Sequence, residues 1–260
     1  MTTPEITMST VSKSFYAIVA GVGAGTGRSV ALRFAKAYPV VLLARNPSNY
    51  TDIVAEIKQQ GGEALGISTD ASDAASVASA FEQIKKEFGD KKLAAAIFNA
   101  GAGFGIKPFL ETTADEFNQS LSGNAGGLYN FAHAFLPQLL DSVDATSPAP
   151  LHPPTLLVTG ATASVRGSSR FAAFAAGKFA VRALTQSLSR EFGPRGVHVA
   201  HIIVDGTIDI PRTKSRIVND GKPDGKIDPD AIADSYWHLH SQHRSSFTQE
   251  LDLRPYVEKF

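Results

Sequence analysis

Cysteine is absent from the 260-residue chain, which excludes disulfides, thiolate nucleophiles and cysteine-ligated metals. An excess of charge of one sign is also missing: 25 Lys and Arg stand against 25 Asp and Glu, with no run of five like charges. Neither nucleic acid nor an anionic membrane surface is an expected partner of such a chain. No apolar run approaches a membrane span, and "MTTPEITMSTVSKS" holds no signal-peptide core. The first twelve or so residues read as disordered, and a cytoplasmic location is expected. No metal site is expected either. His238 and His240 in "SYWHLHSQHR" are two apart on a helix, so they face different sides, and no carboxylate stands at ligand spacing. That segment reads as an amphipathic or interface helix. His133, His198 and His201 read as packed or hydrogen-bonded.

What is present is apolar residue, 43% of the chain, enough for one large domain with a substantial core. Short β-rich runs alternate with longer helix-periodic segments. Strands are expected at 15–21, 39–45, 63–69, 93–101, 155–160, 197–204 and 247–253. Helices are expected at 27–38, 49–60, 73–89 (with Ser72 as N-cap), 114–140, 170–192 and from Pro229 to Gln242. A Gly/Pro/Asp-rich loop fills 205–229. There is no repeat and no domain boundary. Near-continuous apolar strands alternating with helices imply an α/β fold of one Rossmann-type, doubly wound domain, with about seven mostly parallel strands and helices on both faces.

The first strand runs into "AGVGAGTGRS", with glycines at 21, 23, 25 and 27 directly ahead of a helix. The common G-x-G-x-x-G spacing is not met, because position 26 is Thr26. G-x-x-x-G-x-G is met by Gly21, Gly25 and Gly27. Such a turn lets backbone amides approach a pyrophosphate at a helix N-terminus. The second strand ends in Ala44, Arg45 and Asn46, without the carboxylate that would bind the ribose hydroxyls of NAD. A guanidinium there can bind a ribose phosphate, so NADP(H) is favoured over NAD(H).

These features and several later motifs resemble the short-chain dehydrogenase/reductase family along essentially the whole chain. "AGVGAGTG" resembles the family's T-G-x-x-x-G-x-G, with Ala20 in place of threonine. Asp70 in "STDAS" resembles the aspartate that contacts adenine. "FNAG" resembles N-N-A-G, retaining Asn99, Ala100 and Gly101. "GNAGG" resembles the segment of the catalytic asparagine, here Asn124. "FAAGK" resembles Y-x-A-x-K, and "VDG" stands where the substrate loop begins, so that Gly206 and Ile208 would join the cofactor site. The resemblance implies that Lys178 binds the nicotinamide ribose and that Asn124 holds a water. It also implies a symmetric dimer or tetramer packed through the helices at 114–140 and 170–192.

The departures fall on the two groups that would touch a reacting carbonyl. Phe174 stands at the tyrosine position, and a phenyl ring has no proton to give. The serine position lands on Ala161; Thr162, next along, could supply a hydroxyl only after a one-residue shift. Lys178 with a lowered pKa could replace the acid, and Asp205 could be an acid or a partner for Lys178. Three readings follow: an NADPH-dependent oxidoreductase of a small organic substrate (carbonyl, iminium or conjugated acceptor) that needs little acid; a non-redox enzyme, such as an isomerase or dehydratase, on the same fold; or a non-catalytic NADP(H)-binding protein. The first is preferred, because retained Lys178 and Asn124 favour chemistry over binding alone. Regions 103–110, 162–170 and 205–228 are expected to line the substrate pocket.

Overall fold

Apolar runs with no polar interruption can be buried on both faces of a sheet, and the central strands use that freedom. In the computed structural model, which describes residues 11–102, 104–145 and 148–258, β1 (Phe15–Ala20), β2 (Val40–Ala44) and β6 (His198–Val204) are buried at every position. Together with β3 (Ala64–Ser68), β4 (Lys92–Phe98), β5 (Thr155–Thr159) and β7 (Glu250–Leu253) they form one seven-stranded sheet in the order β3-β2-β1-β4-β5-β6-β7. Every pairing is parallel, including β6 with β7, where "mostly parallel" was expected.

The two-residue period of β1 divides the core. Ala17 and Val19 face the side covered by α1 (Thr26–Ala35), α2 (Thr51–Gln59) and α7 (Pro229–His240). Tyr16 and Ile18 face the side covered by α3 (Ala74–Phe88), α5 (Gly127–Val143) and α6 (Ala172–Phe192). Phe34 of α1 is wholly buried, and truncating it to alanine would cost about 3–5 kcal/mol. The "SYWHLHSQHR" helix, α7, lies against α1 within the chain: the Trp237 ring meets Phe34 edge-on at 5.3 Å. His240 is fully buried, 3.0 Å from both the Tyr38 hydroxyl and Thr155 Oγ1, and burial drives its pKa down to about 3. It is a neutral core histidine. His198 and His201 are also buried and hydrogen-bonded, to Thr248 O and Glu250, whereas His133 lies exposed and stacked on Tyr129.

Three local expectations change. The helix expected over 114–140 is two helices, α4 (Ala114–Leu121) and α5, joined by a π-helical segment, Ser122–Gly126. The α3 N-cap is Asp73, whose carboxylate accepts from Ala75 N; Ser72 bonds Asp70 instead. Of the N-terminal segment expected to be disordered, residues 1–10 lie outside the described residues, while Ser12 is tied by its N–H to Ala37 O and accepts from Phe15 N. No helix among the described residues is long and apolar enough to cross a membrane.

Candidate active site

The strand order reverses direction between β1 and β4, so the loops at their carboxyl ends leave a crevice there. Gly21 makes the turn out of β1 at φ +85°, and a Cβ there would lie 2.3 Å from Ala100 N. A side chain is excluded on both counts. A Cβ at Gly27 would meet Gly21 O at 2.5 Å, so α1 begins hard against the turn. The Gly25 N-cap supplies no side-chain hydrogen bond to α1, and the buried Oγ1 of Thr26 in its first turn has no partner. An uncapped helix start, a bare glycine cradle and an orphaned hydroxyl together suit a phosphate.

Two adjoining cavities extend from this point. One, of about 520 Å³, is lined by Gly21, Arg45, Asp70, Ala100 and Gly101, and has the size and lining for an adenosine. Arg45 is exposed at its outer end. Asp70 accepts from Ser72 N and Oγ at 2.9 and 2.7 Å, which holds its pKa low. Asn99 ties the crevice together: its Nδ2 donates to Gly21 O, and its Oδ1 accepts from Thr159 Oγ1, which in turn meets the Tyr236 hydroxyl at 2.6 Å. The second cavity, of about 700 Å³, shares Asn99 and Gly101 with the first and is lined by Thr26, Thr162, Phe174, Lys178, Gly206 and Ile208. It draws its walls from the three loop regions expected to line a substrate pocket. Gly21 and Val22 of the turn line the first cavity and Thr26 at the α1 start lines the second, so the two meet beside the glycine turn.

Lys178 lies at the floor of the second cavity. It is 8% exposed, with Nζ 3.4 Å from Thr159 O and 6.0 Å from the Phe174 ring centroid. No carboxylate compensates this ammonium among the described residues, and desolvation lowers its pKa to about 8. Asn124 lies on the π segment, an insertion that turns its side chain under Gly101. Its Nδ2 donates to Ala102 O and Ser120 O, both at 2.8 Å, and its buried Oδ1 has no partner. A Cβ placed on Gly101 would lie 3.1 Å from that Oδ1 and 3.4 Å from Lys178 Nζ, so both polar atoms face one small space. Gly177 permits this geometry, because a Cβ there would strike Ser120 Oγ at 2.7 Å.

Asp205 is not a partner for Lys178. It is buried behind the cavity, paired with Arg254 at 2.8 Å, and it accepts the Thr162 hydroxyl proton. Thr162 thus faces the cavity with its one proton already committed. Arg254 and the Thr159–Tyr236 pair had no signature in the sequence motifs. Gly25 does not line either cavity, because Ile210 of the loop after β6 lies over it. Among the described residues no group of three or more His, Asp or Glu could hold a metal ion.

A sequence profile of the short chain dehydrogenases matches residues 16–216. The chain belongs to the short-chain dehydrogenase/reductase family. That membership places it among the family's oxidoreductases. It is 31% identical to a short-chain dehydrogenase/reductase of Armillaria gallica over 195 residues, 73% of this chain and 69% of the relative. A solved short-chain dehydrogenase from Rhodopseudomonas palustris is 31% identical, with a TM-score of 0.74 over 94% of this chain and 99% of that one. An alcohol dehydrogenase of the archaeon Thermococcus sibiricus, solved with 5-hydroxy-NADP, is 25% identical, with a TM-score of 0.77 over 95% and 99%.

Proposed function

We propose that this short-chain dehydrogenase/reductase is an NADPH-dependent reductase of a small organic substrate whose reduction needs no phenol, such as an iminium ion, a conjugated acceptor or an activated carbonyl. The observation that carries the reading is the Phe174 ring beside Lys178. The amine that would hold the cofactor is present, the acid position is a hydrocarbon, and the Thr162 hydroxyl, next to the serine position, is spent on Asp205. When bound, the dinucleotide supplies a hydride at its nicotinamide ring. The chain's own part begins with binding: the glycine turn and Thr26 receive the pyrophosphate, Arg45 the ribose phosphate, and Lys178 the nicotinamide ribose. The 5-hydroxy-NADP of the Thermococcus sibiricus enzyme supports the phosphate-bearing cofactor. Phe174 shields the reacting face from water and orients a flat substrate. A substrate that arrives as a cation accepts a hydride and becomes neutral, so no proton is required. For an acceptor that must be protonated, Lys178, with its pKa near 8, is the group that can release one.

The assembly proposed with this function is a homodimer or homotetramer through α4, α5 and α6, where Phe117, Tyr129 and Phe179 expose large rings. Stereospecifically deuterated NADPH, offered with a panel of cyclic iminium ions, enones and activated ketones, tests the reaction. Deuterium recovered in the product supports the reading. Tight NADPH binding with no transfer to any of them would leave a binding protein.

A further inference from the structure

The second cavity combines an aromatic wall with cationic side chains that make no ion pair among the described residues. Phe104, Phe171 and Phe174 form the wall, with centroids 5.2 Å apart for Phe104–Phe174 and 6.2 Å for Phe104–Phe171, both edge-to-face. Phe104 remains 56% exposed, a ring with one face still unpacked. The wall is fixed rather than incidental, because Lys107 N donates to Arg170 O and so holds the loop after β4 against the loop after β5.

Arg166, Arg212 and Arg216 line the same cavity, and no Asp or Glu does among the described residues. Four arginines elsewhere in the chain are paired with carboxylates: Arg28 with Glu56, Arg33 with Asp234, Arg182 with Glu250 and Arg254 with Asp205. The neighbouring lysines are paired as well, Lys107 with Glu116 and both Lys214 and Lys226 with Asp209. The three cavity arginines make no ion pair among the described residues. Two of them stand on a braced segment, because Lys226 Nζ donates to Thr213 O and Lys214 O at 2.8 Å. Arg166, Arg212 and Arg216 are exposed where they line the cavity, and with the buried Lys178 they give it a positive lining that favours an anion. Guanidinium is the side chain that takes a carboxylate in a bidentate grip.

We propose that the substrate carries a carboxylate on a flat, unsaturated or aromatic carbon skeleton, with the ring or conjugated segment against Phe104, Phe171 and Phe174 and the carboxylate on Arg166, Arg212 and Arg216. The inference rests on the reading of this cavity as the substrate side of a reductase, but it is tested by binding alone. Cinnamate is the probe, with uncharged cinnamide and small acetate as controls, each titrated calorimetrically into the protein saturated with NADP⁺. Cinnamate should bind at least ten-fold more tightly than cinnamide and than acetate. Replacing the three arginines together by glutamine should bring cinnamate down to the affinity of cinnamide while changing NADPH affinity less than two-fold. Phe104→Ala should weaken cinnamate and cinnamide alike, and it serves as the aromatic half of the test. Equal binding of cinnamate and cinnamide, or no binding of either, overturns the proposal. So does acetate matching cinnamate, which would mark a general anion site. Loss of NADPH affinity in the triple variant would instead assign the arginines to the cofactor's phosphates. Failure of hydride transfer with every substrate would leave the binding result standing, so the two readings fail separately.

Discussion

Lys178→Met should make the cofactor-free protein more stable, although it removes the most prominent polar side chain of the site. Burial lowers the Lys178 pKa from 10.5 to about 8. The native state therefore carries a penalty of about 3 kcal/mol for holding the ammonium charged. The weak 3.4 Å contact with Thr159 O does little to offset it. Methionine has similar reach and no charge, so the variant should gain up to about 3 kcal/mol at pH 7, about 6–12 °C in Tm for a chain of this size. The sign with pH is fixed. Below about 8 both states hold the proton, and the penalty is fully present. Between 8 and 10.5 only the unfolded chain holds it, and the wild type gains stability as pH rises. The gap between variant and wild type should therefore shrink to less than half its pH 7 value by pH 9.5. Urea unfolding of both proteins at several pH values reads this directly, and fluorescence titration should show NADPH binding lost in the variant. A variant less stable than wild type at pH 7, or a gap that does not move with pH, would refute the account of Lys178 as a desolvated, uncompensated charge.

Phe174→Tyr places a hydroxyl near the Lys178 ammonium, which should lower the phenol's pKa, and NADPH-dependent reduction of activated ketones should rise by about 10²-fold, the lower end for a general acid. Adding Ala161→Ser should raise it further; a double variant that binds NADPH yet shows no gain would detach position 174 from the chemistry. Arg45→Ala should weaken NADPH at least ten-fold and leave NADH nearly unchanged in parallel fluorescence titrations; equal losses would indicate damage to the cleft instead. Light scattering at micromolar concentration should give a dimer or tetramer, and Tyr129→Lys combined with Phe179→Lys should reduce it to a monomer if the exposed rings form the contact.

The central strands were legible because they are buried on both faces: "FYAIVA" and "HVAHIIV" read as uninterrupted apolar runs, and both are buried throughout. The tight turn out of β1 was legible because its backbone, at Gly21, leaves no room for a side chain. Other features escaped for identifiable reasons. The π segment around Asn124 inserts into a helix without disturbing the apolar period on either side, so a single helix from 114 was the natural reading. Ser72 and Asp73 are both good N-cap residues, and only the bond from Ala75 N decides between them. Asp205 looked available to Lys178 because its true partner, Arg254, lies beyond β7, and pairings across the sheet leave no mark on local sequence.

That last pairing bears on how Phe174 should be understood. If the site had merely decayed, the simplest expectation would be that its charged groups had been neutralised together. Asp205, Arg254 and Thr162 do form a closed polar set behind the cavity. Lys178 and Asn124 do not: the ammonium has one long contact, and the amide oxygen beneath Gly101 has none. A weakly bonded buried ammonium and an unsatisfied amide oxygen facing one small space cost more than apolar replacements would. A ligand that brings hydroxyl groups into that space would offset the cost. The amine that would meet cofactor is kept at a cost to the fold, while the position that would meet the substrate's oxygen is a hydrocarbon ring continuous with Phe104 and Phe171. The cavity of about 700 Å³ that opens beside Lys178, lined by three arginines without ion pairs among the described residues, is room for a second ligand besides a dinucleotide. Under the proposed function that ligand would be held by its skeleton and its charge, and reduced at a carbon that asks no proton of residue 174.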